Sequence, residues 1–394
     1  MKLAFCLYKY FPYGGMQRNF LKIAKECNER GHQIIVYTLS WQGEYPDWLE
    51  IVLVPVKAIS GPKKYRKFSR WLGQHLTLNP VDAVVGFNKM PGLDVYYCGD
   101  PCYEYKSQHL RSWWYRYFGR YRHFSKFEKA VFDRGMKPHI LMFSPVQQEL
   151  FTRFYNTESS RITMLPPGIS RDRCVPENAA EVRAGFRQEY QLSDDDLLLL
   201  QIGSGFRTKG LDRSLHGFAA LPSELQARTQ LFVIGQDDPS EFKSLAKQLG
   251  IADKVTFFSG RDDVSRFLQG ADILVHPSYA ENTGGVILEA VVAGLPVLVT
   301  DVCGYAHYVV EAEAGELVES PYSQQTFDGK LANMLMKDKA HWRENAINFS
   351  KHADIYDMPV KAADVIDRVL ESRTLKNTEL ETNMPTKSTL DKAE

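Results

Sequence analysis

The sequence predicts an α/β protein built from two Rossmann-like, doubly wound domains in tandem. Three observations carry that prediction. The 394 residues, 44% of them hydrophobic, exceed what one ordinary core serves. Short β-branched and aliphatic runs alternate with stretches of helical length, as parallel β-α-β units require. The alternation halts in a proline-bearing charged segment and then starts again.

In chain order, KLAFCLY (2–8), QIIVYTL (33–39), AVVGF (83–87) and HILMF (139–143) are expected strands of a first domain over 1–168. LPPGI (165–169) and the following SRDRCVPENA carry proline, glycine and charge without periodicity, which marks the seam. Beyond it LLLLQIG (197–203), QLFVIG (230–235), VTFF (255–258), DILVH (272–276) and PVLVT (296–300) are the strands of a second domain over 169–358. Residues 325–373 read as helices, and 359–373 are expected to return to the first domain. The polar stretch 374–394 is expected to be a disordered tail.

Composition removes several classes of function. Lysine plus arginine and aspartate plus glutamate balance at 48 each, so the global basic excess of a nucleic-acid binder is missing. The six cysteines form no C-x-x-C pair and have no histidines at metal spacing, so neither a zinc site nor a disulfide framework is expected and a reducing compartment fits. No stretch of about 18 uninterrupted apolar residues occurs, and MKLAFCLYKYF lacks a small-residue cleavage site, so neither a membrane span nor a secretion signal is expected.

In open parallel sheets a ligand lies beyond the carboxyl ends of the strands, and two such domains facing each other are expected to build a site in the cleft between them. Motifs do follow strands. Gly14 and Gly15 precede a helical pattern (Phe20, Leu21, Ile23, Ala24, Cys27), as a phosphate-binding helix start or as a plain turn. The loop GSGFRTKG after 197–203 sets Arg207 and Lys209 where a diphosphate would lie, or on a solvated loop. Its third glycine is displaced from a dinucleotide fingerprint, which disfavours a dehydrogenase.

The most informative stretch is DILVHPSYAENTGGVILEAVVAGLPVLVT, 272–300. A strand delivers Glu281 into a loop; Asn282, Thr283, Gly284 and Gly285 open a helix that ends at Gly294 before Pro296. Free N–H groups at that start suit an anion, Glu281 a reacting sugar, and Glu289, about a turn into the helix, the vicinal diol of a ribose. Taken singly, each glutamate also reads as an exposed acid. No D-x-D metal motif ends a strand, and the Asp194, Asp195, Asp196 triplet reads as a turn.

RSWWYRYFGRYRHFSKF (111–127) holds aromatic and basic residues with no acid. Trp113 and Trp114 with Arg116, Arg120, Arg122 and Lys126 fit an anionic lipid surface. Helical spacing of the aromatic residues also fits an interior face, with the arginines on its solvated side.

The E-x7-E pair Glu281 and Glu289, the Gly-Gly turn, G-S-x-x-x-x-K-G with Lys209 and the PPGI junction resemble retaining glycosyltransferases of family 4, which have the two-domain GT-B fold. AFCLYKYFPYGGMQR, VVGFNKMPGLDVYY, FFSGRDDV and VCGYAHY are more similar still to the lipopolysaccharide core glucosyltransferases of that family. The resemblance spans residues 2 to 370. It implies transfer of glucose from UDP-glucose, with retention of the α configuration and no metal cofactor, to an inner-core heptose of the lipid A-linked core oligosaccharide. Work at the cytoplasmic face of the bacterial inner membrane follows, against an anionic lipid surface. Carried over by residue, Gly15 meets the donor diphosphate, Arg173 and Lys209 stabilise it, Glu289 holds the ribose, Glu281 lies at the donor sugar, and Asp100, at the end of the strand-like DVYYCGD, touches the sugar. The chain departs from the pattern at Asn19, where relatives carry an aspartate that would handle the acceptor hydroxyl, and at Arg207, which does not directly precede the lysine. Another UDP-hexose transferase, or a non-catalytic nucleotide-sugar-binding protein at the membrane, are the alternatives.

Overall fold

A computed structural model describes residues 1–12, 14–109 and 111–382. Two compact units emerge, each around its own parallel sheet. The first comprises Met1–Met142, Glu149–Leu165 and Pro359–Glu394, and the second Phe143–Gln148 with Pro166–Met358.

The first sheet contains β1 (Lys2–Cys6), β2 (Gln33–Thr38), β3 (Glu50–Leu53), β4 (Ala83–Gly86), β5 (Val95–Tyr97), β6 (His139–Met142) and β7 (Ile162–Met164), in the order β3-β2-β1-β4-β5-β6-β7. The switch point lies at β1, whose Phe5 pairs with Val36 on one side and Val85 on the other. Helix Gly15–Glu29 buries Phe20, Ile23, Ala24 and Cys27, the one-face spacing of an amphipathic helix. Phe20 meets Phe5 and Phe87 edge-on at 5.9 and 5.0 Å, the offset that ring quadrupoles favour.

The second sheet repeats the winding with β8 (Leu197–Ile202), β9 (Thr229–Ile234), β10 (Val255–Phe258), β11 (Ile273–His276), β12 (Val297–Thr300) and β13 (Gly315–Val318), ordered β10-β9-β8-β11-β12-β13. Leu198, Leu200, Leu274 and Val297 enter the core on one face, while Leu199, Leu231, Val275 and Leu298 enter the core on the other. Burial on both faces is why these strands read as continuous apolar runs.

Helix Met358–Thr382 packs with the first unit. Ala362, Ala363, Ile366 and Leu370 are buried, Arg30 reaches Asp364 and Asp367 at 2.7 and 2.9 Å, and Arg373 reaches Asp94 at 2.7 Å. The disordered tail expected from 374 therefore needs correction in its first part: the helix runs on to Thr382. TLKNTELET offers good helix formers and no glycine or proline. The rest of that expectation, 383–394, lies outside the described residues. The six cysteines are free thiols. Among the described residues no helix is long and apolar enough to cross a membrane.

Candidate active site

In the second unit, the turn after β8 and the loop after β11 are built against each other. Gly205 and Phe206 N–H groups donate to Asp237 Oδ2 at 2.7 and 2.8 Å, which folds the 203–210 loop back over β9's exit. Tyr279 N–H then donates to the Thr208 carbonyl at 2.9 Å. Gly210 sits at φ 71°, and a Cβ there would run into the Pro277 carbonyl oxygen, so only glycine admits this approach. Arg213 fixes the opposing side: it donates to the Pro277 and Ser278 carbonyls at 3.1 Å each and stacks on Tyr279 and Tyr322, 3.6 Å from each ring centre.

This clamp brings Lys209 onto Glu281. Lys209 Nζ makes an ion pair with Glu281 Oε2, both side chains largely buried. His276 Nε2 lies 3.4 Å from the same carboxylate oxygen. Burial first, and then the Lys209 charge, pull His276 down to about 3, so its ring is neutral. Burial draws the Lys209 ammonium down to about 8, with the Cys303 thiol opposing, and the lysine is cationic at neutral pH.

The loop carrying Glu281 is pinned on its far side as well. Glu281 bridges to Cys303 as an extended pair, and Tyr305 N–H donates to the Thr283 carbonyl at 2.8 Å. Gly304 makes room for the Asn282 carbonyl, which a Cβ would strike. Gly284 is the left-handed N-cap, and the helix runs Gly285–Val292. Gly294, at φ 69°, closes its end with bonds from Gly294 and Leu295 to the Val291 and Ala290 carbonyls, the arrangement that makes glycine a helix stop. Glu289 is half-buried in this helix. The second unit thus gathers Lys209, Glu281, Asn282, Thr283, Gly284, Gly285 and Glu289 onto one loop-and-helix frame.

Two other expected donor residues are placed differently. Arg207 is exposed and bonds both oxygens of Glu241 at 2.6 Å, which satisfies its guanidinium away from Lys209. Arg173 is buried and donates through Nη1 to Ser265 Oγ at 2.7 Å, with Nε lacking a partner. Asp196 holds a turn by accepting from the Ser193 N–H and Oγ, both at 2.7 Å.

In the first unit Gly15 opens its helix exposed, and Asn19 Nδ2 donates to Tyr97 OH at 2.8 Å. The helix start therefore lies beside the exit of β5 that leads to Asp100. Burial raises the Asp100 carboxyl above its ordinary value; the Lys89 charge opposes this and the Glu128 charge adds to it. Beneath lies a buried constellation that the sequence did not reveal. Glu128 forms an ion pair with Lys89 and accepts from Tyr103 N–H, Glu104 N–H and Tyr155 OH at 2.9, 3.0 and 2.5 Å. Lys89 Nζ also donates to the Pro101 carbonyl at 2.8 Å, which ties the Asp100 loop to the core.

The aromatic-basic segment divides as both of its sequence readings allow. Trp113, Trp114, Tyr117 and Phe118 are 75%, 52%, 69% and 52% exposed. Arg120, Arg122 and Lys126 are exposed too, whereas His123 and Phe127 are buried. Arg116 is half-exposed and pairs with Glu104 at 3.3 Å.

His276 and Arg213 were missed. For His276 a signal existed, since it ends β11 and stands five positions before Glu281; Arg213 is a helical arginine like many others.

The glycosyl transferases group 1 family model matches residues 182–351. Lipopolysaccharide glucosyltransferase WaaG from Escherichia coli strain K12 is 45% identical over 93% of this chain and 98% of its own length. The crystal structure of WaaG, described as a glycosyltransferase involved in lipopolysaccharide biosynthesis, superposes with a TM-score of 0.90 over 92% of this chain and 99% of that one. Anabaena HepE in complex with UDP-glucose, 18% identical with a TM-score of 0.71 over 94% of this chain and 100% of that one, shares the fold.

Proposed function

The chain belongs to the group 1 glycosyl transferases and, within them, to the lipopolysaccharide glucosyltransferases, and from that membership we propose that it moves glucose from UDP-glucose to an inner-core heptose with retention of configuration. The observation that supports this reading best is the Lys209–Glu281 pair beside the Gly285 helix start. It supplies, in one ion pair, a cation for a departing diphosphate and a carboxylate for a sugar ring that becomes positive as the anomeric bond breaks. Lys209, Arg173 and the helix-start N–H groups take the diphosphate charge. Glu289 holds the ribose. Asp100 and Asn19 serve the sugar and acceptor side of the first unit; an amide at Asn19 donates a hydrogen bond but takes no proton, so it orients an acceptor hydroxyl rather than activating it.

The test is mass spectrometry of a heptose-terminated core acceptor after incubation with the protein and UDP-glucose, without added metal. Addition of one hexose is expected. No addition, with acceptor and protein intact, would favour another nucleotide sugar or a non-catalytic binder.

A pH dependence follows from Lys209. Its proton is present below about 8 and lost above, so its attraction for diphosphate falls as pH rises. UDP affinity, measured by calorimetry, is expected to drop about tenfold between roughly pH 7 and pH 9 as a group titrating near 8 loses its charge. In Lys209→Arg the drop disappears, because guanidinium stays charged. An equal decline in both proteins would remove Lys209 from the diphosphate site.

Attachment to the cytoplasmic face of the membrane is proposed through the exposed side chains of 113–126. Tryptophan favours the headgroup level, and each cation near an anionic leaflet contributes on the order of 1 kcal/mol. Changing Arg116, Arg120, Arg122 and Lys126 to glutamine is expected to abolish most sedimentation with phosphatidylglycerol vesicles. Undiminished sedimentation would reject the electrostatic part.

A further inference from the structure

We propose that a basic groove at the start of helix Gly61–Leu78 binds an acidic group, phosphate or carboxylate, carried by the saccharide acceptor. This rests on the acceptor reading above and adds to it the chemistry of a second contact. The groove, of about 690 Å³, is lined by Lys57, Lys63, Arg66, Lys67 and Arg70, with only Ala58 and Ile59 besides. Lys63, Arg66, Lys67 and Arg70 repeat along the helix at steps of three and four, so each of them has a like charge one turn away, an arrangement that works against the helix. Among the described residues none of Lys57, Lys63, Arg66 and Arg70 meets a carboxylate. Elsewhere in this unit the exposed Arg116 and the partly buried Arg30 each find one.

The backbone adds to the field. No acid stands in the first turn of this 18-residue helix, and its N-cap, Ser60, makes no side-chain capping bond. The positive end of the helix therefore opens among the cations. Fold position points to a ligand as well, since the segment leading into the groove leaves the carboxyl end of β3, the side on which such sheets bind. Tyr65 of this helix stacks on Tyr8, ring centres 4.1 Å apart, and Asp100 is among the charges acting on Tyr8. The helix that carries the groove is thus packed, through Tyr65, on the segment that follows β1.

A saccharide fits better than a lipid leaflet. Leaflets are met by protruding aromatic residues with cations, as at 113–126, whereas this is a concavity of cations with one protruding aliphatic side chain, Ile59.

The experiment compares the wild-type chain with a Lys63→Gln, Arg66→Gln, Arg70→Gln variant, whose fold is checked by circular dichroism and UDP binding. The probes are delipidated, heptose-terminated core oligosaccharide, the same oligosaccharide after phosphate removal, and vesicles of phosphatidylglycerol with phosphatidylcholine. The variant is expected to bind the delipidated oligosaccharide about tenfold or more weakly, with a shallower salt dependence, and UDP and vesicles as the wild type does. If phosphate removal abolishes the difference the acidic group is phosphate; if the difference survives it is carboxylate. Equal affinity of both proteins for the oligosaccharide overturns the proposal: with loss of vesicle binding the groove is a lipid contact, without it a solvated face. Wild-type protein that binds UDP but no oligosaccharide overturns the acceptor reading, and the groove with it.

Discussion

Glu281→Gln is expected to lower turnover by about 10²–10³-fold, the range seen when one preorganised electrostatic group is removed from a transition state, while UDP affinity changes less than about threefold. The substitution keeps shape and removes only charge. Glu281 stands with Lys209 and His276 at one carboxylate, so its amide still fits the loop pinned by Cys303 and Tyr305. What is lost is the negative charge that the proposed mechanism sets against a sugar gaining positive charge. Steady-state transfer to the core acceptor and UDP calorimetry together decide the matter: near-normal turnover would take Glu281 out of the chemistry, and a matching loss of UDP affinity would make it a donor-binding residue instead.

Lys89→Met is expected to cost stability on the scale of about 3–5 kcal/mol, because it leaves a buried charge without its partner. Glu128 is wholly buried. Burial works against the Lys89 charge, yet the Glu128 and Asp100 carboxylates hold its ammonium above the ordinary lysine range. Urea unfolding should show the first unit's transition at lower denaturant, and Lys89→Met with Glu128→Gln should recover much of the loss, since an amide strands no charge and its oxygen still accepts from Tyr103 N–H while its NH2 donates to the Tyr155 hydroxyl, at the expense of the Glu104 N–H bond. An unchanged midpoint in the single variant would mean that the pair contributes no net stability. Acceptor-side kinetics should suffer in both variants, as Lys89 no longer ties Pro101.

The long strands were legible because both faces of each central strand are buried, which leaves an unbroken apolar run. β3, β7 and β13 escaped: EIVL, ITM and GELV are short and only partly covered, so their runs are broken by polar residues. The loop after β11 was readable because glycine, proline and paired glutamates are set by local geometry. Lys209 against Glu281 was readable only as two motifs, since their meeting depends on Asp237, Thr208 and Arg213. Arg207 shows the converse: its position beside Lys209 hides the Glu241 that claims it. The Lys89–Glu128 pair joins residues far apart in sequence and leaves no local mark.

The return of helix Met358–Thr382 to the first unit has a consequence for synthesis. A ribosome delivers the whole of Pro166–Met358 before it delivers Ala362, Ile366 and Leu370, which complete the first unit's core, although domains generally fold as they emerge. The unit that begins first therefore finishes last, and waits with Asp94 lacking the Arg373 that later reaches it.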